Sequence, residues 1–237
     1  RSKKTAFIIK ESYTKSEGDF EIKSIDRVVD KEEVFNKDLL DTAIWMRKMY
    51  LSPVGINLAM MIPSGRRESE VSPFFSFSSF SPVEKLTNEQ EEALARLRKY
   101  PKETFYLYGV TGSGKSEVYL RRAEDTIREG KQVLYLVPEI TLSHQVSADV
   151  YQRFDKRVAI LHSALTPSQR LKAWRSIMTG EVDIVVGARS SVFAPFKNLG
   201  LIIMDEEHES AYKSGQSPRY SARQIAQYRA GKWQAQM

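Results

Sequence analysis

The run Gly109-Val-Thr-Gly-Ser-Gly-Lys115-Ser116 fits the pattern G-x-x-x-x-G-K-[ST]. Glycines at these places let the backbone curl until several N–H groups face one anion. The positive end of a following helix adds to that field. Lys115 is expected to reach the β- and γ-phosphates of bound ATP, and Ser116 to ligate Mg2+ through its hydroxyl. Gly109, Thr111, Gly112, Ser113 and Gly114 complete the expected nucleotide contacts. A ligand-free glycine turn is the plain alternative. The flanks argue against it, because FYLY reads as a strand before the loop and SEVYLRRAEDTIREG as a helix after it.

A second chemical cluster closes the run LGLIIMDEEH, from Leu199 to His208. An apolar strand here delivers Asp205 and Glu206 to its carboxyl end, where open α/β sheets bind ligands. Asp205 is expected to hold Mg2+ across from Ser116, directly or through water. Glu206 is expected to orient and deprotonate the attacking water. His208 completes a D-E-x-H sequence and either senses the γ-phosphate or is ordinary surface.

Both clusters need a scaffold that brings two strand ends together. From Leu86 onward the chain alternates apolar runs with helical stretches. FYLYGV, VLYLVP, VAILHS, DIVVGA and LIIMDE read as strands, and 116–129, 143–154 and 167–178 read as helices. Strands apolar on both faces imply an α/β fold with a parallel sheet covered on both sides. The front, 1–63, has a mixed α+β texture. TAFIIKES and DFEIKSIDRVV alternate as strands around a KSEGD turn. DKEEVFNKDLLDTAIWMRKMYLS follows as an amphipathic helix through Leu39, Leu40, Ala43, Ile44, Met46 and Tyr50, ended by Pro53 and Gly55. Residues 64–85 are serine-rich and proline-punctuated and read as a linker. Its Phe74, Phe75, Phe77 and Phe80 either pack on a neighbouring domain or form a docking segment.

Composition narrows the partners. The 237 residues carry 36 basic and 30 acidic side chains, a net charge of +6, which hints weakly at a polyanion. There is no cysteine, so disulfides and thiolate metal sites are excluded within the chain, and a reducing cytosol fits. Only His144, His162 and His208 are available as imidazole ligands, a poor basis for a zinc site. Apolar runs such as Leu199–Met204 fall far short of the ~20 residues a membrane helix needs. The chain starts at Arg1 without an apolar leader and reads as a fragment.

D-E-x-H after a Walker-type loop is the signature of superfamily 2 helicases and translocases. LTNEQEEAL resembles their adenine-sensing segment, with Gln90 placed to bond the base; VPEITLSHQ and GARSSVFAPF resemble their nucleic-acid-contacting motifs. The order GVTGSGKSEVYL, LVPEI, LHSAL, GARSSVFAPF, DEEH, YK…RY is more specific. Over residues 86–230 it resembles the primosomal protein N′ (PriA) family of bacterial replication-restart helicases. LLDTAIWMRKMYLSPVGINLAMMIP resembles the end of that family's amino-terminal domain, which recognises a nascent strand's 3′ end.

The resemblance implies a RecA-like first helicase lobe at 86–237, incomplete at its C-terminus. It implies a partial 3′-DNA-binding domain at 1–63, with 64–85 standing in place of a winged helix. It also implies an aromatic-rich segment, Ser210 to Arg223, that couples single-stranded DNA to ATP hydrolysis. Tyr212, Lys213, Arg219, Tyr220 and Arg223 are its handles, since rings stack bases and cations hold phosphates. Ser221 stands where the family often has histidine.

The implied activity is 3′→5′ ATP-dependent unwinding at stalled or abandoned forks, leading to primosome assembly in the bacterial cytoplasm. The implied partners are branched and single-stranded DNA, primosome proteins and single-strand-binding protein, with no membrane. The second lobe and the family's cysteine-bound zinc lie outside this chain, so the piece alone is expected to turn over ATP poorly. Another superfamily 2 translocase, or a non-catalytic fork-docking module, stays open as an alternative.

Overall fold

The computed structural model of the chain describes residues 6–8, 28, 33–63, 85–110, 112–138, 144–155 and 157–237. Most of the two expected front strands, the linker phenylalanines, Thr111 and the end of VPEI lie outside the described residues, and residues 6–8 and 28 are in no strand. Four strands form one parallel sheet: β1 (Gln132–Leu136), β2 (Val158–Leu161), β3 (Ile184–Gly187) and β4 (Leu199–Met204), in the order β2-β3-β1-β4. The helices are α1 (Lys37–Tyr50), α2 (Val54–Met61), α3 (Asn88–Lys99), α4 (Lys115–Arg128), α5 (His144–Phe154), α6 (Pro167–Thr179) and α7 (Ala222–Trp233).

Alternation along the strands divides the core in two. Val133, Tyr135 and Val137 face Leu120 and Ala123 of α4 and Val150 of α5. Leu134 and Leu136 join the opposite cluster, with Trp174 and Ile177 of α6 and Ile225 and Ala226 of α7. Helix starts follow local capping chemistry. Thr87 with Gln90, and Thr166 with Gln169, form reciprocal capping boxes, and Asn36 accepts from the Leu39 N–H.

The structure departs from expectation at FYLYGV, which forms no strand. The place beside β4 is taken at its lower end by the chain's last residues. Ile202 N donates to Gln236 O (2.8 Å) and Gln236 N to Gly200 O (3.1 Å). On the tail's other side Phe105 N donates to Met237 O (2.7 Å) and Met237 N to Glu103 O (3.2 Å). The tail therefore stands between β4 and residues 103–105. Beyond it, residues 106–110 join no ladder, and Tyr106 and Tyr108 are 67% and 88% exposed. The side chain of Gln236 anchors the tail: it accepts from Arg122 Nε (2.7 Å) and donates to Leu97 O and Tyr100 O (2.8 Å each).

The front helices differ as well. α1 ends on Leu51 in the left-handed region (φ 52°), and Pro53 caps a second helix that runs through Gly55. Both helices share the core beneath α7: Leu39, Ala43, Met46, Leu58 and Met61 belong to the same buried cluster as Ile225 and Ala226. At its centre Arg229, fully buried, donates from Nε (3.0 Å) and Nη2 (2.5 Å) to Asp38 Oδ2. Its remaining donors satisfy Val192 O (2.5 Å) and Ala194 O (2.9 Å). One guanidinium thus joins α1, α7 and the segment after β3.

Two stability predictions follow from these ion pairs. Arg229→Met strands a buried carboxylate and is expected to cost about 3–5 kcal/mol in urea unfolding, whereas adding Asp38→Leu should recover most of the loss. The second concerns Glu117 of α4, bound by Arg153 of α5 (2.8 Å) and Arg121 (2.8 Å). Burial works to raise its carboxyl pKa, but the two guanidiniums prevail and hold it below the ordinary 4.5. This contribution is present above pH 4.5 and drains away as the pH falls through the depressed folded value. Glu117→Gln should flatten the acid limb of a stability-against-pH curve.

Candidate nucleotide and DNA site

The phosphate loop joins residue 110 to α4 through left-handed glycines, Gly112 (φ 81°) and Gly114 (φ 75°). Gly114 has a second reason to lack a side chain, since a Cβ there would sit 2.3 Å from Gln90 Nε2. Gln90 is used twice: Oε1 accepts from Thr87 N (2.9 Å) and Nε2 donates to Ser113 O (3.1 Å). The start of α3 is thereby tied to the loop. The Lys115 ammonium donates to Gly109 O (2.7 Å) and Val110 O (3.0 Å), folded over the loop's own carbonyls.

Asp205 stands at the carboxyl end of β4, where Tyr135 OH donates to its Oδ2 (3.0 Å) and the Glu206 N–H to its Oδ1 (3.0 Å). The Ser116 side chain lies close to the same Tyr135 hydroxyl. One buried phenol, bonded to the acidic strand end, therefore stands beside the phosphate loop. Burial, then the Asp205 charge, pushes the Tyr135 phenol well above its ordinary pKa. Neighbouring Tyr119 is pushed up to about 12, by burial first and Asp205 second. Both phenols stay protonated, and that of Tyr135 donates to Asp205. Ser116 and Asp205 offer hard oxygen ligands, which fit Mg2+ held jointly with phosphate oxygens. Glu206 (φ 47°) and His208 are exposed beside them.

The segment Ser210–Arg223 needs a correction. The rings of Tyr212 and Tyr220, expected to stack bases, are 3% and 4% exposed. Tyr212 OH donates to Asp205 O (2.7 Å), and Tyr220 packs edge-on against Phe193 (5.0 Å, 66°) under the Arg189 guanidinium. Burial takes both rings out of reach of a strand and makes them supports. Lys213, Arg219 and Arg223 are exposed as expected, and Arg223 pairs with Glu207 (2.8 Å). With Met49 and Tyr50 of α1 these cations line a shallow groove. A cavity of about 360 Å3 lies near the carboxyl ends of β1, β2 and β3, lined by Val137, His162, Arg170, Trp174 and Arg189.

Sequence reasoning missed Tyr135, Arg189 and Arg229. Arg189 lay in plain view in GARSSVFAPF; it donates to Ala211 O (3.1 Å) and Lys213 O (2.7 Å) and so holds the downstream segment. The only sign of Tyr135 was a single hydroxyl in the apolar run VLYLVP.

Comparison with known proteins agrees with this geometry. The family model for DEAD/DEAH box helicases matches residues 87–233, and that for the PriA 3′ DNA-binding domain matches residues 1–63. The replication restart protein PriA of Treponema pallidum (strain Nichols) is 49% identical over 210 residues, covering 87% of this chain and 32% of that protein. PriA of Bacillus subtilis (strain 168) is 47% identical over 149 residues, 61% of this chain and 18% of its own. PriA of Rickettsia felis is 35% identical over 227 residues, 95% and 35% respectively. The chain spans about a third or less of these relatives' lengths. With the helicase match over more than half its length and the 3′ DNA-binding match ahead of it, the chain belongs to the DEAD/DEAH box helicase family, in its PriA group.

Proposed function

We propose that this chain is the ATP-binding and DNA-contacting portion of a 3′→5′ DNA helicase that recognises stalled or abandoned replication forks and starts primosome assembly. The observation that carries the reading is the Tyr135 hydroxyl bonded to Asp205 with Ser116 close beside it, which supports loop and acidic strand end facing one triphosphate. Mg2+, when bound, neutralises charge that builds on the phosphate oxygens. The chain's own groups do the rest. Lys115 leaves the Gly109 and Val110 carbonyls for phosphate oxygens, and the amides from 112 to 116 bind the same anion. Gln90, at the start of α3, leaves its bonds to Thr87 and the loop carbonyl to read the base. Glu206 takes the proton of the attacking water, and His208 reports on the γ-phosphate.

DNA enters through Lys213, Arg219 and Arg223, which hold phosphates of a single strand. Tyr212 supplies the coupling: its hydroxyl ties the DNA-facing segment to the Asp205 carbonyl, so displacing one moves the other. Branched DNA, primosome proteins and single-strand-binding protein are the partners of the whole assembly. No helix among the described residues is long and apolar enough to cross a membrane.

Two experiments test the reading. Lys115→Ala should weaken binding of a fluorescent ATP analogue by ~10- to 100-fold, the worth of a charged hydrogen bond. In the full-length protein, Glu206→Gln should bind like the parent while DNA-stimulated hydrolysis falls by at least ~100-fold. Unimpaired turnover in both variants would rule out the enzyme assignment. For DNA, Lys213→Ala with Arg219→Ala should lower single-strand affinity and reduce the slope of log affinity against log salt by about 1.4, two phosphate contacts' worth. Thermal stability should hold in that double variant. It should fall in Tyr220→Ala, whose buried ring leaves a cavity.

A further inference from the structure

We infer that Tyr135 is the positioning residue of the magnesium site, a buried phenol that sets the Asp205 carboxylate beside Ser116 before the ion arrives. The inference rests on the shared-site reading above. Tyr135 is the penultimate residue of β1, near its carboxyl end, paired with Val186 of β3 on one side and Ile203 of β4 on the other. It is 1% exposed, and its ring meets Tyr119 edge-on (6.4 Å, 70°).

Every neighbouring position in the run is filled by a purely apolar side chain: Val133, Leu134, Leu136 and Val137. Phenylalanine would fill the same volume at position 135. A buried hydroxyl costs free energy unless it is bonded, and this one donates its proton to Asp205 Oδ2 (3.0 Å). Ser116 lies close to its oxygen.

The consequence for Asp205 is orientation. One carboxylate oxygen is fixed by Tyr135 and the other by the Glu206 N–H, so the group cannot swing about its last torsion without breaking a bond. Each oxygen keeps a second lone pair for an ion or an ion-bound water. Mg2+ demands near-octahedral geometry at short range, so a preset carboxylate lowers the cost of assembling its shell. Donors behind a ligating group commonly govern metal affinity in this way. The nucleotide's own contacts with the loop amides and Lys115 do not pass through Tyr135. Metal binding and metal-free nucleotide binding should therefore separate on mutation.

The test is Tyr135→Phe in the whole chain, titrated with a fluorescent ATP analogue in EDTA and again at rising Mg2+. Affinity in EDTA should stay within about two-fold of the parent, while the Mg2+ concentration for half-maximal tightening rises by about ten-fold or more. A half-saturation point unmoved from the parent's would overturn the inference. So would an EDTA affinity that drops as far as the Mg2+ response, since that marks general damage to the loop. Asp205→Asn, run in parallel, separates the levels. A shifted Mg2+ response there and none in Tyr135→Phe defeats the positioning role alone. No shift in either variant defeats the shared-metal reading itself.

Discussion

A single buried phenol bonded to Asp205, with Ser116 close beside it, is the constraint on which this structure turns. The serine comes from the first turn of α4 and the aspartate from the end of β4, segments far apart in sequence. Neither strand-end chemistry nor a glycine loop does anything alone; their meeting makes a place for a triphosphate and its ion. The parallel sheet produces that meeting, because every strand in it ends at the same edge. Tyr135 reaches across from the strand beside β4 and bonds Asp205, with Ser116 close to its hydroxyl. The segment proposed to face DNA is fastened to the same spot through the bond of Tyr212 to the Asp205 carbonyl.

A second constraint lies on the opposite face of the sheet. The front helices α1 and α2 are built into the lobe's core rather than appended to it, and the buried pair of Asp38 with Arg229 marks the join. The guanidinium also bonds two carbonyls of the segment holding Arg189's neighbours, and Arg189 in turn grips Ala211 and Lys213. The front helices are therefore coupled through packing and hydrogen bonds to the segment that faces DNA. Breaking such a pair leaves an uncompensated charge in an apolar surrounding, which is why its members are expected to be intolerant of single substitution.

Much of this was legible in the residues. The glycine spacing and the D-E-x-H run named the two halves of the proposed site, and the apolar runs from VLYLVP to LIIMDE matched strands because burial on both faces leaves no polar interruption. FYLYGV misled for the same reason turned around: its apolar character suits a strand, but a strand also needs neighbours, and pairing is not written in one segment's composition. The tyrosines at 212 and 220 misled because aromatic rings serve stacking and core packing equally well. Tyr135 was hidden since a lone tyrosine in an apolar run reads as filler. Long-range partners such as Asp38 and Arg229 lie outside any local pattern and emerge only from the fold.

The most direct test of the central claim is the position of the ion. A crystal of this chain with a non-hydrolysable ATP analogue and Mn2+ in place of Mg2+ would locate it by anomalous scattering. The account predicts one peak about 2.1–2.2 Å from the Ser116 hydroxyl oxygen, with Asp205 in direct contact or one water away and the triphosphate cradled by residues 109–116. A peak remote from Asp205, or a triphosphate lying outside the glycine loop, would contradict it.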